Sequence, residues 1–375
     1  MSGPAVLDPA LAGCAIIVAA DRRSMDLATA LERRGASVHR APALSIVANA
    51  DDTELLARTA RLIETPPDIV VATTGVGFRG WMDAAHEHGL AEELDTALRD
   101  AHFVARGPKA HGAIQQAGFM ADWVAHSETS AEVGEYLLAS GVTGKRIVIQ
   151  HHGAGSDGLD EMLSRAGAEV LSVTVYRWGP PPDPEVVRRS TLQAGGGEAD
   201  AVLFTSAPGA ASWLDVAASA GALEGIRRRA ASGRLLLAAV GPITAAPLFA
   251  QDLHTVVADR GRLGSLARCV IAHFGGGRAP AVRTDLGRLE VRSGGAVLDG
   301  RFLPLSRTSA GLLEALSSAQ GRVLSRTDIA RVLPGAERNG HAVEVAVARL
   351  RESLGGAELV QTVVKRGYRL AVSED

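Results

Sequence analysis

The sequence predicts an α/β protein with two doubly wound parallel-sheet domains, followed by a C-terminal winged helix-turn-helix. Three observations lead to this prediction. Strand–turn–helix segments occur in matched pairs before residue 275, a Gly-rich stretch follows them, and the last ninety or so residues combine short alternating strands with three helical segments. Apolar strands that alternate with helices favour parallel sheets that are covered on both faces.

The first part of the chain is a duplicated strand and helix unit. Each pair of segments shares an apolar strand, a turn of small residues and a helical stretch. The pairs are Asp68 to Ala85 with Asp200 to Ala217, Phe103 to Gly118 with Ala238 to Asp252, and Cys14 to Arg23 with Arg146 to Gly155. Each half therefore supplies several strand-then-helix units.

Turns of small residues follow four of these strands, at Thr73 to Gly75, Gly107 to Lys109, Thr205 to Pro208 and Gly241 to Thr244. Parallel strands end at the ligand-binding edge of a sheet, and backbone N–H groups at the following helix N-termini can hold an anion. Alternatively, Gly and Pro simply make tight turns, and Ser or Thr caps the next helix. Because the four turns form two matched pairs, we expect a shared ligand cleft.

The composition is that of a globular protein, since 46% of the 375 residues are hydrophobic and 22% are charged. There is no apolar run of about 18 residues and no signal-peptide pattern, so we expect a cytoplasmic location without membrane binding. The two cysteines, Cys14 and Cys269, lack metal-binding spacing. Both are expected to be buried in a reducing compartment.

Charge divides the chain unevenly. The segment from Arg278 to Asp375 holds 15 Lys and Arg against 11 Asp and Glu, a net charge of +4, whereas the preceding residues hold 24 against 31, or −7. This asymmetry indicates that the C-terminal part contacts an acidic polymer.

Residues from about 12 to 274 resemble the uroporphyrinogen-III synthase family. The matching pieces are the opening strand with Arg22 or Arg23, the turns ATTG and FTSAP, the turns GPKA and GPITA, and VTVYRW at Val173 to Trp178. The resemblance implies two α/β domains with a cleft between them, residues 12–41 plus 178–274 and residues 43–176. That family closes the linear tetrapyrrole hydroxymethylbilane, which bears eight carboxylates, without a metal or cofactor.

The resemblance also implies site residues. Tyr176 and Thr244 stand where the family keeps its most important hydroxyls, and Tyr176 would donate a proton to the leaving hydroxyl if the protein is enzymatically active; packing within a strand is the alternative for Tyr176. Main-chain N–H groups and hydroxyls would bind the ligand's carboxylates. The expected ligand-binding set is Arg22, Arg23, Thr73, Thr74, Gly75, Gly107, Lys109, His151, His152, Tyr176, Thr205, Ser206, Gly241 and Thr244.

The sequence departs from that family at two turns. Ala110 stands where the family often has a hydroxyl residue, and His151-His152-Gly153 replaces an Arg-Gly turn. Two imidazoles at the cleft mouth could ligate the iron of a haem-like tetrapyrrole or sense pH; alternatively, they are solvated loop residues. These changes leave turnover open and retain the cleft.

The tail begins after a linker at residues 275–281, where GGGRAP predicts a flexible connection of roughly 15 Å. Residues 282–375 then predict short hairpin strands, a helix capped by Ser306, a second helix that begins at SRTD, and a third that begins near His341. In the third helix the helical period buries Val343, Val347, Leu350 and Leu354 and exposes Val345, Arg349 and Glu352.

This tail resembles the OmpR/PhoB winged-helix effector family in the order of LSRTSAGLLEALSSAQGRVLSRTDIARVL, VEVAVARLRESLG and TVVKRGYRL. By that match Arg349 would read bases, and Tyr368 would be wing core. His341 and Arg351 would hold phosphates. The residues expected on the DNA backbone or minor groove are Thr362, Lys365 and Arg366. Ser309 and Ala346 depart from the pattern, so the target sequence does not transfer.

Together these features predict a transcriptional regulator with a synthase-like body that senses a tetrapyrrole or a related small molecule. The architecture resembles actinobacterial regulators of nitrate and nitrite assimilation, whose nitrite reductase uses sirohaem. The alternatives are an active uroporphyrinogen-III synthase that carries a DNA-binding tail, and a scaffold without ligand. A phosphoacceptor domain is not expected, because the strand ends lack an acidic cluster and Asp21 stands alone. Expected partners are promoter DNA, a second copy of the chain on DNA, and another transcription factor.

Overall fold

The protein is described by a computed structural model that covers residues 9–21, 23–48, 53–151, 157–259, 261–333, 341–356 and 359–373. It divides into two compact units. One consists of Ser45–Gly179, here the second α/β domain. The other combines the chain up to Leu44 with the chain from Pro180 onward; it contains the first α/β domain, up to residue 275, and the tail, residues 281–373.

The α/β part contains twelve strands and twelve helices within the described residues. In chain order they are β1 (Ala15–Val18), α1 (Ser24–Glu32), β2 (Ser37–Arg40), β3 (Ser45–Ala48), α2 (Thr53–Glu64), β4 (Ile69–Ala72), α3 (Gly75–Glu87), α4 (Ala91–Leu98), β5 (His102–Ala105), α5 (Pro108–Gln116), β6 (Trp123–Val124), α6 (Ser130–Ser140), β7 (Arg146–His151), α7 (Leu159–Arg165), β8 (Glu169–Thr174), β9 (Tyr176–Gly179), α8 (Pro184–Gly196), β10 (Ala201–Phe204), α9 (Ala207–Ser219), α10 (Leu223–Ala231), β11 (Leu236–Ala239), α11 (Pro242–Phe249), β12 (Thr255–Val257) and α12 (Leu263–Gly275).

The two α/β domains have equivalent parallel sheets of five strands. The first has the order β12-β11-β10-β1-β2, and the second has the order β6-β5-β4-β7-β8. Strands β10, β11 and β12 therefore correspond to β4, β5 and β6, and β1 and β2 correspond to β7 and β8. The prediction of a duplicated, doubly wound parallel fold is confirmed.

The chain enters and leaves the second α/β domain through a separate two-stranded antiparallel pair. Strand β3 pairs with β9, with Ala48 opposite Tyr176. The second sheet is thus inserted between β2 and β10 of the first, as the interrupted order of that sheet requires. Both sheets are covered by helices on both faces, and the four residues of β4 and of β10 are all buried.

Equivalent tryptophans lie at the centres of the two cores. Trp81 and Trp213 are fully buried, and both rings meet a phenylalanine edge to face, Phe78 in one domain and Phe204 in the other. The Nε1 of Trp81 donates to Thr59 Oγ1 over 3.0 Å, and the Nε1 of Trp213 donates to a serine hydroxyl, that of Ser190, over the same distance. The duplication therefore extends to the hydrogen bond that satisfies each buried indole.

The tail has the architecture of a winged helix. Its elements are β13 (Ala281–Thr284), β14 (Gly287–Arg292), β15 (Gly295–Leu298), β16 (Arg301–Pro304), α13 (Arg307–Ser318), α14 (Arg326–Val332), α15 (His341–Ser353), β17 (Val360–Val363) and β18 (Gly367–Leu370). The first four strands form an antiparallel meander, and the last two form a hairpin. Ser306 caps α13, and a capping box of Ser325 and Asp328 begins α14, as predicted.

Two expectations need correction. The Gly-rich linker is held by protein contacts, because Arg288 donates to the carbonyl oxygens of Gly277 and Ala279 over 3.0 and 2.9 Å. Cys14 is buried, but Cys269 on α12 is only partly so, and both thiols are free. Within the described residues, no helix combines the length and apolar character needed to cross a membrane.

Candidate functional site

The carboxyl edge of the second sheet is organised by two threonines and a glutamine. The hydroxyl of Thr73 donates to the carbonyl oxygen of Gln150 over 2.7 Å, and Thr74 Oγ1 accepts the Gly77 amide over 3.0 Å as the N-cap of α3. The side-chain oxygen of Gln150 accepts the Thr74 amide. Both predicted hydroxyls therefore bond to protein, which is the alternative that the sequence left open.

Gln150 also organises this edge, although it is not among the site residues predicted from the sequence. Gln150 is the penultimate residue of β7, and its fully buried side chain also donates to the carbonyl oxygen of His151. The available signal was a polar residue inside the apolar strand RIVIQ, because a buried amide needs several hydrogen-bond partners.

The turns after β4 and β5 lie against each other. A Cβ atom built on Gly75 would lie 2.2 Å from the carbonyl oxygen of Lys109, so only glycine permits this approach. Gly107 is the N-cap of α5, and the Lys109 side chain is exposed in its first turn. Arg106, which also escaped the prediction, precedes this turn, with its Nη1 4.0 Å from Asp157. The structure thus gathers first-turn amides and cationic side chains at one edge, which suits an anionic group.

His151 does not face solvent, contrary to the expectation for this imidazole. It is the last residue of β7, its side chain is 1% exposed, and its Nε2 lies 2.8 Å from a carboxylate oxygen of Asp160. Burial alone raises the pKa of Asp160, but hydrogen bonds from His151 and Ser172 hold this pKa below its usual value. His151 thus fixes α7 to the end of the strand, and β7 runs one residue further than RIVIQ suggested.

The carboxyl edge of the first sheet repeats this construction. Ser206 caps α9 by accepting the Gly209 amide over 3.2 Å, directly after Thr205, and Gly241 is the N-cap of α11. Thr244 is buried in the first turn of α11. Arg23, the residue before α1, has a left-handed backbone with φ of 53° and an exposed side chain that contacts Asp26 over 2.8 Å. The structure therefore brings these five predicted residues to one sheet edge.

The structure does not describe the side chains of three predicted ligand residues. Arg22 and His152 lie outside the described residues. Tyr176 opens β9, opposite Ala48, but its side chain lies outside the description as well. Among the residues that are described, no three His, Cys, Asp or Glu side chains lie close enough to share a metal ion.

In the tail, α15 has one buried face and one exposed face. Val343, Val347 and Leu350 pack into the core with exposures of 2% or less, and Leu354 follows at 6%. His341 and Arg349 lie on the exposed side with Val345. This confirms the predicted orientation of the helix, in which Arg349 projects from the surface.

The β17–β18 hairpin presents a basic tip. Lys365 and Arg366 are exposed, and Lys365 has a left-handed backbone with φ of 61°. Gly367 has a φ of 138°, and a Cβ there would lie 1.9 Å from the carbonyl oxygen of Leu324, so glycine is required. Tyr368 is buried, as predicted, and its backbone pairs with Leu324.

The side chains of Arg351 and Thr362, both predicted to contact DNA, form a hydrogen bond with each other. The Nε of Arg351 donates to the carbonyl oxygen of Val360 over 2.9 Å, and its Nη2 donates to Thr362 Oγ1 over 2.7 Å. The guanidinium also lies 5.8 Å from the centre of the Tyr368 ring. Arg351 therefore ties α15 to the hairpin, and the exposed basic residues that remain for DNA on these two elements include Arg349, Lys365 and Arg366.

Comparison with known proteins assigns both parts of the chain. Residues 25–268, more than half of the chain, match the family described as uroporphyrinogen-III synthase HemD, and residues 300–370 match the family described as transcriptional regulatory protein, C terminal. An uncharacterized protein of Bacillus subtilis (strain 168), YjjA, is 28% identical over 258 residues, which are 68% of this chain and 94% of that protein.

Solved structures agree with the first assignment. A crystal structure of a mutant uroporphyrinogen III synthase from the extremely thermophilic bacterium Thermus thermophilus is 27% identical, with a TM-score of 0.56, over 68% of this chain and 96% of that chain. The DNA-binding domain of E. coli CadC is 28% identical over 25% of this chain and 94% of its own, with a TM-score of 0.21. The tail assignment rests on the family match.

A domain of the HemD family and an OmpR/PhoB-type domain are thus joined in one polypeptide. This fusion supports a DNA-binding regulator and the binding of promoter DNA. The chain belongs to the uroporphyrinogen-III synthase HemD family and carries a C-terminal DNA-binding domain of the OmpR/PhoB type.

Proposed function

We propose that this regulator senses a small anionic ligand, a tetrapyrrole or a related molecule, through its HemD-like part and controls transcription through its tail. The single observation that carries the proposal is the union of two such domains, with Arg349, Lys365 and Arg366 exposed on the tail. A purely biosynthetic enzyme has no use for a basic helix and hairpin of this kind.

The chemistry of the sheet edges supports a ligand with carboxylates. Thr73 donates its hydroxyl hydrogen to Gln150, whereas Thr74 and Ser206 accept amides and keep theirs, so first-turn amides and these two hydroxyls supply the donors at these edges. Exposed Lys109 adds positive charge at one edge, and exposed Arg23, which pairs with Asp26, offers further N–H donors at the other. Such donors hold carboxylates through charge-assisted hydrogen bonds without a metal or cofactor.

The same edges favour sensing over turnover. Ala110 is buried where the family often has a hydroxyl residue, so one donor to the ligand is lost. Loss of one such contact weakens catalysis more than binding when the contact acts mainly in the transition state. Sensing therefore tolerates the change better than the cyclisation reaction does.

Control of nitrate or nitrite assimilation is the physiological role that we propose. It is supported by the resemblance to actinobacterial regulators of this architecture, and by chemistry, since the sirohaem of assimilatory nitrite reductase derives from uroporphyrinogen III. A homodimer on repeated half-sites, with another transcription factor beside it, is the corresponding assembly on DNA.

A gel shift at fixed salt tests the proposal. The full chain is titrated onto its own neighbouring promoters with and without uroporphyrinogen III, sirohaem or nitrite, and Arg349→Ala serves as the control for specific binding. We expect one ligand to change promoter affinity severalfold in the wild-type chain. Affinity that none of the three ligands changes contradicts sensing of these molecules, and promoter binding equal to that of unrelated DNA contradicts the regulator.

An active uroporphyrinogen-III synthase with a DNA-binding tail is the second candidate. Membership of the HemD family favours it, as does Thr244, which stands in the first turn of α11 at the sheet edge. Cyclisation of hydroxymethylbilane by the purified chain, lost in Tyr176→Phe or Thr244→Ala, supports this function. Absence of turnover together with ligand-dependent DNA binding supports the sensor.

A further inference from the structure

The turn between β14 and β15 reaches the amino edge of the first sheet. The Ser293 amide lies 3.0 Å from Oδ1 of Asp200, the residue before β10, and the Ser293 hydroxyl donates to Oδ2 of the same carboxylate. The Gly294 amide donates to the carbonyl oxygen of Gly13 over 2.9 Å. Two residues of the tail therefore bond directly to the ends of two strands of the first α/β domain.

A buried ion pair stands beside this turn. Arg292 and Glu290 on β14 are 5% and 1% exposed, and their side chains meet at 2.8 Å. The Nη1 of Arg292 donates to the carbonyl oxygens of Ala10 and Ala12 over 2.9 and 2.8 Å. The guanidinium also lies 5.6 Å from the centre of the Phe274 ring. Burial of this pair costs desolvation free energy, and the hydrogen bonds from Arg292 to Ala10 and Ala12, which form only in the docked position, offset that cost.

A second set of contacts joins α13 to the segment around α10. Glu314 meets Arg229 at 2.6 Å, and Ser317 accepts from Arg234 over 3.0 Å. Arg307 contacts Glu198 near the end of α8. Because Glu314 and Arg229 are each less than one quarter exposed, their attraction is weakened little by solvent. The tail is thus held at two separated places on the first α/β domain.

The duplicated fold provides an internal comparison for the docking residue. Asp68 precedes β4 as Asp200 precedes β10, and each accepts the amide of the first residue of the neighbouring strand over 2.8 Å. In the second α/β domain the other partners of the carboxylate are Lys145 and Arg146, at 3.6 and 3.8 Å, and Asp68 remains one third exposed. Asp200 is only 6% exposed.

The sequence differs at the corresponding positions of the two strands. Where the second sheet has Lys145 and Arg146, the first has Cys14 and Ala15, so the local cations are missing and the side chains are smaller. In place of those cations, the amide and the hydroxyl of Ser293 bond to the Asp200 carboxylate. This substitution pattern is what a docking surface requires, because a long basic side chain would obstruct the turn.

We propose that the amino edge of the first sheet, centred on Asp200, is a docking surface for the tail, so that the DNA-binding domain is carried as a fixed part of the first α/β domain. The contacts come from the β14–β15 turn, β14 and α13. Arg349, Lys365 and Arg366 lie on other elements and stay exposed. The docked tail is therefore ready to bind DNA, and the proposal holds whichever ligand the HemD-like part takes.

Hydrogen–deuterium exchange on the full chain tests this docking. Ser293→Ala removes a donor from the tail side only, and Asp200→Asn removes the charge on the sheet side. Asp68→Asn is the matched control, since it makes the same change at the equivalent position where no tail docks. We expect amides of the β14–β15 turn to exchange about tenfold faster, or more, in Ser293→Ala and Asp200→Asn than in the wild-type chain, and at the wild-type rate in Asp68→Asn.

Equal exchange of the turn in Ser293→Ala and wild type would overturn the proposal, even if Asp200→Asn disturbs the sheet itself. The second readout is affinity for DNA of arbitrary sequence at fixed salt. Because the docked tail leaves its basic residues exposed, Ser293→Ala should keep this affinity within about twofold of the wild-type value. A rise of tenfold or more would mean that docking hides the DNA-binding surface, which contradicts a tail that is competent when docked.

Discussion

Asp68 and Asp200 hold equivalent places in the two sheets, yet the pKa values of their carboxyl groups are shifted in opposite directions. A hydrogen bond from the backbone of Arg146, with the charges of Lys145 and Arg146, lowers the pKa of Asp68. Burial beneath the tail raises the pKa of Asp200 to about 6, although hydrogen bonds from Ser293 and Ala15 oppose the change. The two equivalent carboxyl groups therefore titrate at different pH values, because Asp68 lies beside exposed cations and Asp200 is buried against the tail.

The pH dependence of stability should show this difference. Between pH values of about 4 and about 6, folded Asp200 keeps a proton that the unfolded chain, with a pKa of about 3.9, has lost. Its contribution to the free energy of unfolding therefore falls as pH rises through this window, by up to roughly 3 kcal/mol. Chemical denaturation at several pH values should show that Asp200→Asn removes this contribution from the slope of stability against pH.

Asp68→Asn is the control for that measurement. A lowered pKa stabilises the folded state above the unfolded value, and the contribution is lost only as pH falls below about 4. The slope between pH 4 and 6 should therefore survive in Asp68→Asn. If Asp200→Asn keeps the wild-type slope across this window, Asp200 is not the titrating group.

Arg349→Ala should relax base preference. Arg349 is exposed on α15, and a bidentate arginine contact to a guanine contributes about 1 to 3 kcal/mol of discrimination. We expect affinity for the best site from a random-sequence selection to fall by this amount, while affinity for arbitrary DNA changes much less. Arg228→Ala, which removes an exposed arginine from α10, is the charge-matched control. Unchanged site preference in Arg349→Ala would show that α15 is not the reading element.

Lys365→Ala should weaken all DNA sequences alike. The residue stands at the exposed tip of the hairpin, where its ammonium can reach phosphates. Loss of one phosphate contact should flatten the plot of log affinity against log salt by about one unit. Lys145→Ala removes the same charge from the second α/β domain and should leave the slope unchanged. A sequence-dependent loss in Lys365→Ala would instead indicate a base contact.

Thr74→Ala and Ser206→Ala should destabilise the protein by similar amounts. Each hydroxyl accepts an amide in the first turn of its helix, and loss of an N-cap costs about 1 kcal/mol. Thr74→Gly and Ser206→Gly should lower the free energy of unfolding by only about a few tenths of a kcal/mol. Urea denaturation measures both pairs. A loss of ligand affinity without a loss of stability would assign these hydroxyls to the ligand instead of the helix.

Local sequence patterns were sufficient for most of the fold. The matched segments that begin at Asp68 and Asp200 predicted two equivalent strand–turn–helix units, and the period of α15 predicted which side Arg349 would take. These features depend on neighbours within a few turns of chain, so they can be read without tertiary contacts. The interrupted order of the first sheet came from the family resemblance.

The sequence could not reveal long-range partners. The bond between His151 and Asp160 depends on how α7 folds back onto β7, and the Gly-rich linker is held by Arg288 from the following strand. Likewise, nothing local to Asp200 predicts that Ser293 covers it. In each case the deciding contact joins residues whose proximity is a property of the assembled fold.

Arg351→Ala should weaken DNA binding through the hairpin instead of through phosphate charge. Its two hydrogen bonds to β17 and its stacking on Tyr368 hold the hairpin on α15, so their loss should destabilise the tail by about 1 to 3 kcal/mol. The salt slope should stay near the wild-type value, unlike that of Lys365→Ala. Arg351→Lys separates the two roles, because it keeps the charge but loses the planar fork that reaches both acceptors. If Arg351→Lys restores stability and DNA binding together, charge alone matters, and Arg351 acts on phosphates as the sequence first suggested.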